Sequence, residues 1–259
     1  MYLWVVYSLI LLVLTPFMIS KAPELLRAVI ELPIIVLGGV LTNLLATKLN
    51  LEALKREELS YTAPINSLVP LFTLVIAGIF LHESPPRFGI IGVIIIVVGA
   101  YIVSIRPDRI HWYEPLKRLA SSAGAQLSIA VAVCYALNTV LTKVLVNNGY
   151  DSLTIFYLTT ILGWLFLAYV PILKRAELKA IKKSDKLAVL GGGISSFASG
   201  YFHILATAST FTSYATAVRR LDAIISVLLG WRYLKETNIR IKFIGSAVMV
   251  IGTVLLTIS

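Results

Sequence analysis

The chain has 259 residues, of which 58% are hydrophobic and only 14% are charged, and its mean hydropathy is +0.88. A soluble domain is nearer half apolar and a quarter charged, so this composition excludes a soluble fold and indicates an integral membrane protein. The net charge of +10 is spread over short connecting segments, with no face of interleaved aromatic and basic residues, so we expect no nucleic-acid partner.

Apolar runs recur along the whole chain, and each is long enough to cross a bilayer core of about 30 Å as a helix. In chain order they predict nine spans, over residues 3–19, 33–49, 60–81, 88–105, 127–146, 152–173, 187–206, 212–234 and 241–258. Met1 leads directly into the first run without a basic segment or a cleavage site, which favours a retained span over a signal peptide. The predicted fold class is an all-α polytopic membrane protein in a lipid bilayer.

The two halves of the chain resemble each other. A shift of 153 positions, with no insertion, superposes like residues in pairs that include Glu83 and Glu236, Gly92 and Gly245, and Gly99 and Gly252. The fifth span, residues 127–146, has no counterpart, so we expect a four-plus-five arrangement in which the first repeat lacks its opening helix. The predicted domains are a first repeat over 1–106, a basic connecting segment over 107–122 and a second repeat over 123–259. Because a five-helix unit crosses the membrane an odd number of times, tandem copies have opposite orientations.

The basic residues of the connecting segments agree with this inversion. In the predicted topology three of them lie on one side of the membrane: Lys21, Arg27 and Arg87. Sixteen lie on the other side: Lys48, Lys55, Arg56, Arg106, Arg109, Lys117, Arg118, Lys174, Arg175, Lys179, Lys182, Lys183, Lys186, Lys235, Arg240 and Lys242. The positive-inside rule predicts that the richer side is cytoplasmic, which places residues 21–33 on the outside.

A motif near the end of each half resembles a known family. In the first half, INSLVPLFTLVIAGIFLHESPPRFGIIGVIIIVVGAYIV contains a proline at Pro70, a glutamate at Glu83 and a glycine-spaced final helix. In the second half, VRRLDAIISVLLGWRYLKE keeps the glutamate as Glu236 and has Ala223 in place of the proline. Together with YALNTVLTKVLV in the fifth span, which contains Lys143, these motifs resemble the drug/metabolite transporter superfamily, EamA type, across essentially the whole chain.

The resemblance implies a permease of ten helices in an inverted repeat, which moves a small molecule through a central cavity by alternating access. It also implies a multi-pass protein of the plasma membrane that exports a metabolite. The family places the segment matching residues 21–33 in the cytoplasm, which disagrees with the charge count, and we follow the charge count. A chain without the opening helix would lack part of the cavity wall. Homodimer formation is left open, and the alternative function is a non-transporting membrane partner or an inactive truncated paralogue.

Three charged residues occupy the eighth predicted span at a depth where charge is costly. Arg219, Arg220 and Asp222 lie about 12–16 Å into this segment if it is helical. Each such charge costs about 2.5–3.5 kcal/mol, so it usually faces a bundle interior or a water-filled cavity. Asp222 can pair with Arg219, which leaves a guanidinium to bind a carboxylate or a phosphate. We therefore expect a small polar or amphiphilic metabolite that is anionic or zwitterionic. The alternative is a structural ion pair and an arginine that snorkels to the membrane surface.

Neutral polar residues are predicted to line the rest of the substrate site. The repeat shift superposes Asn66 and Ser67 on the two arginines, so one wall of a site at the repeat interface would be charged and the other would form neutral hydrogen bonds. Four further residues are candidates for substrate contact: Asn138 and Thr142 in the fifth span, Tyr61 and Tyr214. The alternative for Asn138 and Thr142 is helix packing or hydrogen bonding to the backbone, and the alternative for the two tyrosines is the interfacial aromatic belt.

Proton coupling has two candidate carriers, Asp222 and His203, although His203 can equally serve polar packing near a helix end. Glu83 and Glu236 each precede an arginine by four residues, and we expect structural pairs or caps there. The sequence contains no metal-ligand, nucleotide-binding or hydrolase motif, so no metal, no cofactor and no enzymatic activity are expected.

Overall fold

The computed structural model describes residues 2–56, 65–104, 122–173, 183–221 and 239–258. Within these ranges the regular elements are helices, with no strand: α1 (Tyr2–Met18), a 3-10 turn (Ile19–Lys21), α2 (Ala22–Glu31), α3 (Pro33–Arg56), α4 (Val69–Phe80), α5 (Arg87–Ser104), α6 (Ala123–Asn147), α7 (Ser152–Phe166), α8 (Val170–Leu173), α9 (Lys183–Ser209), α10 (Thr212–Arg219) and α11 (Ile239–Thr257). Each of the nine predicted spans overlaps at least one of these helices. The predicted all-α class is therefore confirmed.

Four helical stretches of the described chain are long and apolar enough to cross a bilayer: Leu3–Glu31, Pro33–Arg56, Ala123–Asn147 and Ser152–Leu173. Large apolar side chains point outward on these stretches, with Leu12 77%, Ile34 82% and Ile172 78% exposed. A water-soluble surface rarely shows so many contiguous apolar groups, whereas a surface in contact with lipid does. The protein is a multi-pass membrane protein.

The segment between the first two predicted spans, expected to be a connecting loop, contains helix α2. Pro23 lies in its first turn, where a missing N–H costs nothing. Ala28 is 1% exposed, and Leu25 and Leu32 pack against the same core. These apolar positions recur at the helical spacing, but charged residues separate them, so the segment does not stand out as an apolar run.

The sixth predicted span, residues 152–173, is interrupted. Helix α7 ends at Phe166, and the short helix α8 begins at Val170. Pro171 explains the interruption, because it offers no N–H and its ring would clash with the carbonyl group of Leu167 in a continuous helix.

The chain forms two compact units, and each draws on both predicted repeats. The first comprises Met1–Leu41 and Leu141–Ser209, and the second comprises Thr42–Val140 and Thr210–Ser259. In the first unit α1 packs against α7 and α9 around fully buried residues such as Met18 and Ile155. The boundaries of the two repeats themselves stay a prediction.

The core of the second unit is the contact between α5 and α11, the last helices of the two predicted repeats. A Cβ atom added to Gly99 would lie 2.7 Å from the carbonyl oxygen of Gly245, and one added to Gly92 would lie 2.9 Å from that of Gly252. The residue numbers rise along one helix as they fall along the other, so the two helices are antiparallel. The lack of a side chain at these glycines therefore allows the two helices to pack closely.

Candidate functional site

The third predicted span is broken immediately after Asn66. Residues 65–66 are helical, Ser67 and Leu68 form a turn, and α4 begins at Val69. The N–H group of Leu68 donates to the carbonyl oxygen of Ile65 at 3.0 Å, which is the spacing of a turn and not of an α-helix. Pro70 explains the break, because its ring excludes the carbonyl group four residues earlier from a regular helix.

The helix that begins the eighth predicted span ends at the equivalent place, and we call this end and the interruption after Asn66 the two breaks. Helix α10 ends at Arg219, and the N–H group of Leu221 donates to the carbonyl oxygen of Val218 at 3.0 Å. The repeat shift superposes this turn on the one at Leu68. The expectation of a continuous helix through the charged residues is therefore wrong for Arg220, which lies in a turn, and Ala223, at the position of the proline, lies outside the described residues.

The two breaks lie towards the same end of the second unit. Glu83, in the loop after α4, contacts Thr212, the first residue of α10: one carboxylate oxygen accepts the N–H group at 2.9 Å and the other accepts the hydroxyl at 2.6 Å. Helix α10 also packs against α4. A helix that begins beside the end of α4 and contacts it along its length must run antiparallel to it. Helix α10 thus runs from the end of α4 towards its start, and Arg219 lies at the end of α10 that is nearer to Val69.

The expected partner of Glu83 was Arg87, four residues later in the same turn. Among the described ion pairs this one is not found, and the capping role that Glu83 has is on α10 instead. Glu236 lies outside the described residues, so its predicted pairing stays a prediction.

The breaks present polar side chains of two kinds. Arg219 is exposed and Arg220 is half-buried, with its Nε atom buried. In the other half Ser67 is 3% exposed, and the buried Oδ1 atom of Asn66 has no hydrogen-bond partner within the described chain. Cationic side chains at one break and neutral hydrogen-bonding side chains at the other thus occupy positions that the repeat shift superposes. A buried acceptor without a donor is costly unless a ligand supplies one. Asp222 lies outside the described residues, so its pairing with Arg219 stays a prediction.

Tyr214 is part of the core that holds α10. It is 7% exposed, and its ring packs against that of Phe211 with centroids 5.1 Å apart. A Cβ atom at Gly89 would overlap its hydroxyl oxygen, so only glycine fits there. Tyr214 therefore anchors the helix that carries the arginines, and its direct contact with substrate stays a prediction, as does that of Tyr61, which lies outside the described residues.

The other predicted site residues lie on α6 and α9. On α6 Asn138 is half-buried and Thr142 is 8% exposed. On α9 His203 is half-buried with its Nδ1 atom buried, and its carbonyl oxygen accepts the hydroxyl of Thr207 at 2.8 Å. Substrate contact for the first two and proton transfer for His203 stay predictions.

A charged contact that no site prediction included joins α6 to α9. The Nζ atom of Lys143 donates to the carbonyl oxygen of Thr207 at 2.7 Å, in the last turn of α9. A cation at this end of a helix is favourable because the last carbonyl groups carry partial negative charge. The only sequence signal was a lysine inside an apolar span. The ranges that the structure describes hold no group of three or more acidic, histidine or cysteine residues that could bind a metal ion.

The sequence resembles one protein family and two curated proteins. The model of the EamA-like transporter family matches residues 1–105 and 122–258. The phosphoenolpyruvate/phosphate translocator 1 of Oryza sativa subsp. japonica, a chloroplastic protein, is 25% identical over 163 residues, which are 60% of this chain and 36% of that protein. The triose phosphate/phosphate translocator of non-green plastids of Brassica oleracea var. botrytis is 26% identical over 148 residues, 56% of this chain and 33% of that protein. The match thus spans about a third of the length of these relatives.

A solved crystal structure has the same fold. It superposes with a TM-score of 0.76 at 17% identity and covers 99% of this chain and 86% of the other. At this identity the likeness concerns the fold alone.

Proposed function

This chain belongs to the EamA-like transporter family, and we propose that it is a permease that moves a small anionic metabolite by alternating access, with Arg219 and Arg220 as its anion-binding residues. The observation that carries the proposal is the pair of helix breaks at equivalent positions of the two halves, one with the arginines and the other with Asn66 and Ser67. Transporters of duplicated architecture bind their substrates at such interruptions, where backbone and side-chain polar groups are freed from the helix.

The charges at the breaks favour an anion. Two guanidinium groups provide planar sets of donors that suit a carboxylate or a phosphate. The start of α4, at the other break, carries the positive end of a helix dipole, which has the same preference. The translocators of rice and Brassica are named for phosphate, phosphoenolpyruvate and triose phosphate, all of which are small anions. We therefore propose a substrate that carries a phosphate or a carboxylate group.

The proposal also includes the direction of transport and the membrane in which the protein lies: we propose export across the plasma membrane. Export across the plasma membrane is the arrangement that the family resemblance implies, whereas the two relatives are chloroplastic proteins by name. A fluorescent fusion expressed in its native cell, viewed beside markers of the plasma membrane and of internal membranes, tests the location. Fluorescence confined to an internal membrane would overturn the proposed plasma-membrane location.

Ligand stabilisation of the purified protein tests the proposed substrate class. At fixed ionic strength, phosphoenolpyruvate, a triose phosphate or inorganic phosphate at 100 times its dissociation constant should add about 2.7 kcal/mol to the free energy of unfolding. The Arg219→Gln/Arg220→Gln variant should stay folded and lose this stabilisation. The matched control is Lys55→Gln/Arg56→Gln, another adjacent basic pair, in the last turn of α3.

Three outcomes separate the possibilities. Stabilisation of the native chain and of the control, but not of the arginine variant, supports the proposal. Equal stabilisation of all three places the anion site elsewhere. Stabilisation by neutral compounds alone contradicts an anionic substrate.

A further inference from the structure

The first turn of α10 is held by a carboxylate from another part of the chain. Both oxygens of Glu83 bind Thr212, one through its N–H group and one through its hydroxyl. Thr212 is 0% exposed, and the residue before it, Phe211, provides no side-chain cap. Two bonds from one carboxylate to one residue fix the rotation of the helix as well as its position. The negative charge also lies at the positive end of the helix dipole.

The loop that carries Glu83 is shaped to deliver it. His82, two residues after the end of α4, adopts a left-handed conformation with φ of 54°. The N–H groups of Leu81 and Glu83 both donate to the carbonyl oxygen of Ala77, at 2.9 and 3.4 Å. The chain therefore turns sharply at the end of α4, so Glu83 lies beside the start of α10.

Helix α10 is short enough for its first turn to control its last. It has 8 residues, and residues 212–217 are all buried, whereas Arg219 is exposed. Arg219 lies seven residues after Thr212, about 10 Å along the axis. A rotation or a shift of the buried end would thus be transmitted to the exposed end with little loss.

We propose that Glu83 is a positioning residue of the substrate site, which holds α10 in the orientation that directs Arg219 and Arg220 to an anionic substrate. The inference rests on the proposed function and deepens it. Glu83 acts through Thr212 and not through contact with the substrate. The role is carried by tertiary hydrogen bonds between positions 129 residues apart in the chain.

Transport kinetics provide the first test, with phosphoenolpyruvate as the probe in proteoliposomes. Glu83→Gln preserves side-chain size but leaves one acceptor for two donors, so α10 is held less firmly. We expect KM to rise by up to about tenfold, a limit set by the energy of one hydrogen bond to a charged group. The maximal transport rate should change much less, because both arginines are still present to bind the substrate. Thr212→Ser, which keeps both donors, should behave as the native chain. Glu52→Gln, which removes an exposed carboxylate bonded to Lys55, should leave KM unchanged.

A double-mutant cycle isolates the contact itself. Thr212→Val removes only the hydroxyl donor. If the two residues act through each other, the effects on KM of Glu83→Gln and Thr212→Val will not add in the double variant. Additive effects would overturn the proposal.

A measurement without substrate separates this inference from the proposed function. In a Cys134→Ala background, Arg219→Cys reports the accessibility of the end of α10 through its rate of modification by a maleimide. Glu83→Gln should change that rate, while a cysteine at the exposed position of Asn148 should react as before. Glu83→Asp and Thr212→Val provide the same comparison if Glu83→Gln does not fold.

The outcomes are distinguishable. If the native chain neither binds nor exchanges phosphoenolpyruvate or phosphate, the proposed function fails and the labelling result alone decides the positioning role. An unchanged labelling rate at position 219, together with a lower melting temperature, would show that Glu83 serves stability only and would overturn the inference.

Discussion

Gly92 of α5 lies directly against the carbonyl oxygen of Gly252 in α11, and the same two helices meet again where Gly99 approaches Gly245. The repeat shift superposes Gly92 on Gly245 and Gly99 on Gly252. The contact between Gly92 and Gly252 is therefore equivalent to the contact between Gly245 and Gly99 when the two halves of the chain are exchanged. Antiparallel packing of two equivalent helices around such a local two-fold relationship is what an inverted repeat requires.

Substitution of these glycines should be costly because the obstacles are backbone atoms. A Cβ atom at Gly99 would lie 2.7 Å from the carbonyl oxygen of Gly245 and 2.8 Å from the backbone nitrogen of Met249. We expect Gly99→Ala to lower the free energy of unfolding by about 1–3 kcal/mol through overpacking. Gly191→Ala is the matched control, since nothing lies within 4 Å of its added Cβ atom. Denaturant titration in detergent measures both, and equal effects would contradict this packing.

Lys143 should contribute stability through the end of α9. Lys143→Met keeps an apolar stem but leaves the carbonyl oxygen of Thr207 without the ammonium donor, so we expect a loss of about 1–2 kcal/mol. Lys55→Met removes an exposed ammonium that bonds only Glu52 among the described residues, and should have an effect below about 0.5 kcal/mol. Melting temperatures of the two variants provide the comparison. A Lys143→Met protein as stable as the native chain would show that the contact contributes nothing.

Asp151 should stabilise the start of α7. Its side chain accepts the N–H group of Leu153 and the hydroxyl of Thr154, and it pairs with Lys21. Asp151→Ala should cost about 1 kcal/mol through loss of the helix cap. Asp151→Asn keeps an acceptor and loses the ion pair, which is more than a third exposed, so its cost at neutral pH should be below about 1 kcal/mol.

The pH dependence of that cost follows from the pKa of Asp151. Partial burial raises this pKa, but the hydrogen bonds from Lys21, Thr154 and the N–H group of Leu153 outweigh burial and lower it. A lowered pKa in the folded state adds stability above the ordinary carboxyl value of about 3.9, and this stability is lost as the pH falls through the folded value. The difference between Asp151→Asn and the native chain should therefore be constant from pH 8 to about 5 and shrink below about 4. A difference that shrinks between pH 8 and 6 would contradict the assignment.

His82 should be replaceable by glycine with a gain in stability. Its φ of 54° is unfavourable for a residue with a Cβ atom, and its side chain is exposed. His82→Gly should thus stabilise by up to about 1 kcal/mol, and His82→Val should destabilise, because β-branched residues rarely adopt this conformation. Thermal unfolding of the two variants should move in opposite directions. Equal shifts would mean that the left-handed turn is not required.

The sequence was most informative where a feature is local or repeated. Apolar runs predicted every described α-helix except α2, and the repeat shift found the glycines that join α5 to α11. Pro70 marked one helix break through its missing N–H group, but the equivalent break has Ala223 and no such mark. Its position became visible only from the turn at Arg220.

Tertiary contacts were the part that local reasoning missed. The spacing of Glu83 and Arg87 suggested a pair within one turn, because only neighbours in sequence can be judged without a structure. The actual partner, Thr212, is 129 residues away. The two arginines were recognised because charge inside an apolar span is costly, whereas the residue that we propose positions them carries no sign of that role in its own neighbourhood.

The most direct measurement is counter-exchange in proteoliposomes loaded with phosphate, with labelled phosphoenolpyruvate outside. The native chain and the Lys55→Gln/Arg56→Gln control should exchange the two anions, and the Arg219→Gln/Arg220→Gln variant, folded by its melting curve, should lose at least about tenfold in rate, as expected for the loss of charge-assisted hydrogen bonds to an anion. Exchange by the arginine variant at the native rate would contradict the account.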